Sequence, residues 1–225
     1  MNWFFLTFFP ASFTALKANW RIALGQSSFR IQAIITLLIS LLIGFYISNF
    51  LLFIESRPGH SISDFILNTI EARDLSLPIF ILLYSAICIA IINLSATPVH
   101  FLKAIQAYCL LIIIRMFCIY LFPLEPDQSM IPLTDPFVGR FFYSDTIIVK
   151  DLFFSGHVST LSLLVLATPY PRLKYCFITA TALVAGFILV QHVHYTIDVL
   201  AAPFFSWGCY TLVSKLGLHQ NKGAE

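Results

Sequence analysis

The sequence predicts an all-α integral membrane protein, a six-transmembrane helical bundle. Three observations carry this. Of 225 residues, 59% are hydrophobic and only 11% are charged, where a soluble domain carries roughly 25% charged residues. The mean hydropathy is +0.87. Apolar stretches approaching the ~20 residues that a bilayer core requires recur along the chain, separated by short polar connections.

The elements follow in order. Residues 1–16 (MNWFFLTFFPASFTAL) are aromatic and interrupted by Pro10. No cationic stretch precedes the apolar run, which is not the pattern of a cleaved signal peptide. Residues 1–30 read as an interfacial segment, closed by a cationic cluster of Lys17, Arg21 and Arg30. The membrane domain is expected over 31–216. Its first span runs from Ile31 to Ile54. A polar connection follows, in which SDFILNTIEARDL reads as a short surface helix capped by Ser63. The second span is Leu77 to Ser95, and Thr97-Pro98 marks a tight turn. The third is Phe101 to Phe122, with Arg115 in its later half. The longest connection, Pro123 to Lys150, is rich in Pro, Asp and aromatic residues. The fourth span is Leu152 to Tyr170, the fifth Leu173 to His192 and the sixth Tyr195 to Leu216. Residues 217–225 form a short polar tail.

Charge sets an orientation. With a cytoplasmic N-terminus, Lys17, Arg21, Arg30, Lys103, Arg172, Lys174, Lys215 and Lys222 lie inside. Arg57, Arg73, Arg140 and Lys150 lie outside, with Arg115 in a span. Among the acids only Glu225 lies inside. Both termini are then cytoplasmic. The basic residues form no block or stripe, so nothing points to nucleic acid. The five cysteines (Cys88, Cys109, Cys118, Cys176, Cys209) sit in apolar segments, without CxxC or metal spacing, and read as small buried hydrophobes.

Two polar islands interrupt the apolar pattern: DLFFSGHVST from Asp151 and QHVHYTIDV from Gln191. Ionisable residues at membrane depth are expensive and mark function. His194 and Asp198 stand four apart, on one face of a helix. The carboxylate can fix the tautomer of the ring and leave its other nitrogen as nucleophile or base. The same spacing also suits a structural pair plugging a bundle. Ser155, Gly156 and His157 open a span. A helix N-terminus offers N–H groups and a positive dipole end, and Gly156 lets an anion approach the backbone. A plain Ser N-cap is the alternative. With the orientation above, both islands lie on the non-cytoplasmic face.

DLFFSGH and HVHYTIDV resemble the Asp-x-x-x-Ser-Gly-His and His-Asp-His-Tyr-Thr-x-Asp-Val blocks of the sphingomyelin synthase branch of the type 2 phosphatidic acid phosphatase superfamily. The resemblance covers roughly residues 115–200. It implies a two-step transfer through a phosphohistidine. His194 would be the nucleophile and Asp198 its orienting acid. His157 would protonate the departing lipid alkoxide, then act as base on the acceptor. Membrane lipids would be the substrates, with no cofactor and no metal needed. Phosphatases of the superfamily carry a Lys-x6-Arg-Pro block and an Arg six residues before the second histidine. Here that position is Ile188, and no such first block exists.

Arg115 is then the cation left to meet a phosphate, or a snorkelling interfacial residue. Val158 stands where synthases have Thr. Val193 replaces the Asp between the histidines, which leaves His192 without an assigned partner. Asp151 and Tyr195 belong to the two blocks and are expected at the substrate. Glu125, in FPLEP, is a candidate for a cationic head group, otherwise a solvated loop acid. Tyr143, with Phe141 and Phe142, is a candidate to stack on a quaternary ammonium, or an interfacial anchor. The leading expectation is a phosphotransferase moving a phospho-head group from a glycerophospholipid to a ceramide-like or other lipid alcohol. A hydrolase with water as acceptor shares every catalytic residue. A lipid-binding scaffold with a degenerate site is the third reading.

Overall fold

The computed structural model describes residues 13–133, 135 and 147–216. The aromatic group Phe141, Phe142 and Tyr143, the first twelve residues and the tail lie outside them. The described chain is helical: α1 (Phe13–Gly25), α2 (Ser27–Glu55), α3 (Ser76–Ser95), α4 (Pro98–Leu121), α5 (Gly156–Ala167), α6 (Pro171–Val190) and α7 (Thr196–Leu216). Five of these, α2, α3, α4, α6 and α7, are long and apolar enough to cross a membrane. The chain is a multi-pass membrane protein built as a helical bundle.

The predicted fourth span is shorter than expected. Twelve residues of helix cover about 18 Å, against a hydrocarbon core of about 30 Å. Two local causes set its ends. Residues 151–155 are irregular and held by side chains. At the other end Thr168 precedes Pro169 and adopts an extended ψ of 127°, as a residue before proline prefers. Helix α5 is the centre of the bundle. It packs against α3, α4, α6 and α7, and Val158, Leu161 and Leu163 along it are buried. By contrast α2 is peripheral, packing on α1 and α4, with Ile34, Leu38, Leu41, Phe45 and other large apolar side chains exposed. In a bilayer those side chains face lipid. Cys88 and Cys176 are exposed too, whereas Cys109, Cys118 and Cys209 are buried.

The helices define two ends. At one end α1 packs on the α3–α4 turn, where Trp20 Nε1 donates to Ser95 O at 2.8 Å and Asn19 Nδ2 donates to Ala96 O at 2.9 Å. At the other end residues 56–75, 122–133 and 147–155 and the 191–195 turn meet. There His60 N donates to Pro123 O, and Glu125 N donates to His60 O. Gly59 makes this approach possible, because a Cβ there would lie 2.6 Å from the Leu124 carbonyl carbon. The surface helix expected after Ser63 is only a 3-10 turn, Leu67–Thr69. Asp64, not Ser63, organises it. Its Oδ1 accepts from Ile66 N at 2.9 Å, while its Oδ2 accepts from Thr196 N at 2.6 Å. The acid thereby caps the start of α7 from more than a hundred residues away.

Burial, the largest single influence, pushes the Asp64 carboxyl up, but hydrogen bonds from Thr196, Leu67 and Ile66 together hold it below its ordinary range. Glu125 is likewise depressed, first by its hydrogen bond to Lys150. Groups depressed in the fold leave the unfolded chain binding more protons on the acid side, so their stabilisation is present above the unfolded values and lost as pH falls. The thermal midpoint in detergent is therefore expected to drop as pH falls below about 4. Asp64→Ala should flatten part of that dependence and cost about 0.5–2 kcal/mol at neutral pH, the range of a lost N-cap. Calorimetry or fluorescence melting across pH checks both.

Candidate active site

The two islands of the sequence meet in space. Ser155 is fully buried, and its backbone N–H donates to Asp198 O at 3.1 Å. Its Oγ accepts from Val158 N at 3.5 Å, which makes it the N-cap of α5. Beneath this turn lies Arg115, 7% exposed. Its Nε donates to Phe154 O at 2.6 Å, its Nη1 to Asp151 Oδ1 at 2.6 Å, and its Nη2 to Asp151 O at 3.0 Å. Arg115 is thus no interfacial snorkeller. It is a fork that holds the 151–154 backbone. Gly156 is required for this. A Cβ there would meet Arg115 Cζ at 3.2 Å and Nε at 3.3 Å. The glycine admits a guanidinium on that side rather than a substrate anion.

The candidate histidines and Asp198 stand next to the turn. His194 is 3% exposed and Asp198 is completely buried. His194 Nδ1 lies 3.5 Å from Asp198 Oδ2, and that same oxygen accepts from Tyr195 N at 3.1 Å. The pairing aims Nδ1 at the acid and leaves Nε2, across the ring, for a substrate. The contact is long for a hydrogen bond, and catalytic contacts of this kind tighten when substrate binds. His157, in the first turn of α5, has its ring centroid 6.5 Å from that of His194. Phe80 of α3 supplies an apolar wall, edge-on to His157 at 5.8 Å between centroids.

The 191–195 turn that presents His194 is built by a helix stop. His192 N donates to Leu189 O and Val193 N to Ile188 O, both at 3.1 Å. This is a Schellman motif with His192 in the left-handed position, φ 58°. Glycine is the usual residue there, and a side chain costs roughly 1–2 kcal/mol. Gln191, fully buried, anchors the turn. Its Nε2 donates to Ser76 Oγ at 2.9 Å and Ile131 O at 3.1 Å. Its Oε1 accepts from Leu75 N at 2.9 Å. His192 Nδ1 lies 2.6 Å from Ser129 Oγ.

The remaining predicted residues are brought to the same end, in supporting positions. Tyr195 OH donates to Glu125 O at 2.9 Å and accepts from Ile62 N at 3.4 Å, so both functions of its hydroxyl serve the loops. Glu125 is no solvated acid. Its Oε1 pairs with Lys150 Nζ at 2.8 Å and accepts from Gly59 N at 2.7 Å. The side chains that sequence reasoning missed are Asp64, Phe80, Tyr84, Asp127, Ser129, Asp135 and Gln191. Tyr84 OH donates to both carboxylate oxygens of Asp135, at 3.0 and 2.8 Å. Of these, Gln191 carried a signal: an amide closing an apolar helix directly before HVH. Among the described residues no group of three or more His, Cys, Asp or Glu is arranged to hold a metal ion.

His157 Nδ1, His192 Nε2, His194 Nδ1 and Asp198 Oδ1 are all buried without a hydrogen-bond partner among the described residues. Buried polar atoms are ordinarily paired, so these four make the end of the bundle around the two islands a candidate site. The support beneath it is testable. Arg115→Lys keeps the charge but cannot hold two carbonyls and a carboxylate together. A loss on the order of 2–4 kcal/mol is expected, with turnover falling in parallel. Gly156→Ala is expected to cost about 1–3 kcal/mol by overpacking. Thermal melting in detergent reads both, and wild-type stability in Arg115→Lys would mean that the fork does not hold the turn.

Residues 150–215 match the family model described as PAP2 superfamily C-terminal. No curated protein matches the chain. The matched stretch contains the Ser155–His157 turn, α5, α6, the 191–195 turn and nearly all of α7. That match supports membership of the PAP2-like superfamily, and with it a function of the lipid phosphatase or phosphotransferase type.

Proposed function

We propose that the protein is a lipid phosphotransferase, which moves a phospho-head group from a glycerophospholipid to a ceramide-like or other lipid alcohol. The observation that carries this is the pair of imidazoles 6.5 Å apart, one backed by a buried carboxylate. In the first step His194 Nε2 attacks phosphorus. The bond from phosphorus to the diacylglycerol oxygen breaks, and protonated His157 gives its proton to that oxygen. Asp198 balances the charge that develops on His194. In the second step neutral His157 takes the proton of the lipid alcohol, whose oxygen attacks phosphorus. The phosphorus–nitrogen bond breaks and returns the electron pair to His194.

The substrate oxygens meet the N-terminus of α5. A helix start carries a positive dipole end and N–H groups suited to an anion. The start of α7 is less open to this role, because Asp64 already occupies Thr196 N. Arg115 contributes its positive charge from beneath Gly156 while holding the turn. Ser155, Asp151, Glu125 and Tyr195 keep the two islands and the loops in register. The site faces the non-cytoplasmic side. The distribution of basic residues supports this orientation, with Arg172 and Lys174 at the opposite end from both histidine islands.

Three experiments test the proposal. Purified protein in liposomes of phosphatidylcholine, phosphatidylethanolamine and phosphatidic acid, with and without ceramide, is followed by mass spectrometry. Ceramide-dependent diacylglycerol release with a new phosphosphingolipid is expected. Release without ceramide, with free phosphate or phospho-alcohol, would instead make the enzyme a hydrolase. His194→Ala should abolish turnover with insertion intact, and Asp198→Asn should lower kcat by about 10⁴ if the acid acts as a triad-type orienter. For orientation, Phe65, 82% exposed in the 56–75 connection, is replaced by Cys in a cysteine-free background. An impermeant thiol reagent should label it in intact cells. Labelling only after permeabilisation would put the site on the cytoplasmic face.

A further inference from the structure

His192 carries two unfavourable features at once. It occupies the left-handed position of the Schellman turn, where glycine is free of strain. Its imidazole is also 3% exposed, with Nε2 unpartnered among the described residues. Two such features in one residue point to a use for the side chain.

The hydrogen-bond directions say which use. Ser129 Oγ donates to Asp127 Oδ1 at 2.5 Å. A hydroxyl has one hydrogen, so Ser129 is an acceptor toward its other neighbour. That neighbour is His192 Nδ1, at 2.6 Å, which therefore carries a hydrogen. Asp127 Oδ1 also lies 3.4 Å from Nδ1. Burial pushes the Asp127 carboxyl up, but hydrogen bonds, those of Ser129 first, outweigh it and hold the group below its ordinary range. In the neutral ring, Nδ1–H committed to Ser129 leaves a lone pair at Nε2. A phosphate oxygen is an acceptor and cannot satisfy a lone pair, whereas an O–H or N–H can.

We propose that His192 is a binding residue for the acceptor lipid, its Nε2 accepting a hydrogen bond from a hydroxyl or amide N–H of the lipid alcohol. This deepens the phosphotransferase reading and rests on it. The position suits the role. His192 stands two residues from His194 in the same buried turn, and the Asp127–Ser129 segment fixes its ring as Asp198 orients that of His194.

The test exploits the backbone. His192→Gly removes the imidazole and relieves the left-handed strain, so the full-length variant is expected to melt at or above the wild-type temperature. The binding probe is a short-chain ceramide in detergent, compared with its O-methylated, N-methylated analogue. The alcohol is expected to raise the wild-type melting temperature and to leave His192→Gly unmoved, and the analogue to raise neither. In turnover assays His192→Gly should raise KM for the alcohol tenfold or more, with KM for the phospholipid donor unchanged. Ser129→Ala, which leaves the turn untouched, should shift KM in the same direction by less. Equal stabilisation of wild type and His192→Gly by the alcohol overturns the proposal, as does equal stabilisation of wild type by the analogue. A lower melting point for lipid-free His192→Gly also overturns it, by making the role structural. Binding is read without chemistry, so the two readings fail separately. Wild type that binds the alcohol but transfers nothing retires the transferase. Transfer that His192→Gly leaves unaltered retires the acceptor site.

Discussion

Everything at the site depends on how one guanidinium satisfies one stretch of irregular backbone. Helix α5 is shorter than a bilayer core, and residues 151–155 before it are not helical. Such backbone is tolerated within a membrane only where protein groups or a lined cavity replace water. Arg115 donates to Phe154 O, Asp151 O and the Asp151 carboxylate, and Asp198 O takes the N–H of Ser155. A charge in a spanning helix is costly unless paired. Here it is offset by three hydrogen bonds, and the result is a helix N-terminus presented inside the bundle beside a histidine. Gly156 is the sequence mark of this arrangement, because a Cβ there would press on the fork at 3.2 Å from Arg115 Cζ.

The position that holds an arginine in phosphatases of the superfamily is informative in this light. Ile188 is completely buried and belongs to the central apolar core with Val184 and Phe177. A cation there would face aliphatic and aromatic side chains, so the whole local packing has departed from a phosphate clamp. In the proposed mechanism, with that route closed, negative substrate oxygens are left to the α5 N-terminus and to the positive charge of Arg115. Such electrostatic stabilisation is effective because the donors are fixed in a low-dielectric site before the reaction begins.

The bundle and the closeness of His194 to Asp198 were legible in the sequence because apolar length and four-residue spacing are local signals. Five spans and the His194–Asp198 pairing needed nothing else. The supporting groups were not legible. Asp64 serves Thr196, Gln191 serves Ser76 and Ile131, and Ser129 serves His192. Each pairing joins a connection to a distant helix end and leaves no periodic trace. The predicted cap at Ser63 failed for the same reason. The acid beside it was recruited by the start of α7, and that partner lies 132 residues away. The fourth span was overestimated because Leu152, Phe153 and Phe154 are as apolar as helix, yet Arg115 holds the carbonyls at the two ends of this stretch, Asp151 O and Phe154 O.

The same distant pairings explain how the turn carrying His194 can remain strained and incompletely hydrogen-bonded. Left alone, a left-handed histidine and a cluster of buried unpaired atoms would relax by shifting the backbone. Here the turn is fixed from several sides: Gln191 to α3 and residue 131, Tyr195 to Glu125 and Ile62, and Thr196 to Asp64. Strain and unsatisfied polarity persist only where the surroundings over-determine the conformation. A site fixed in this way loses little further freedom when a lipid binds, and interactions reserved for the ligand are then available to the transition state.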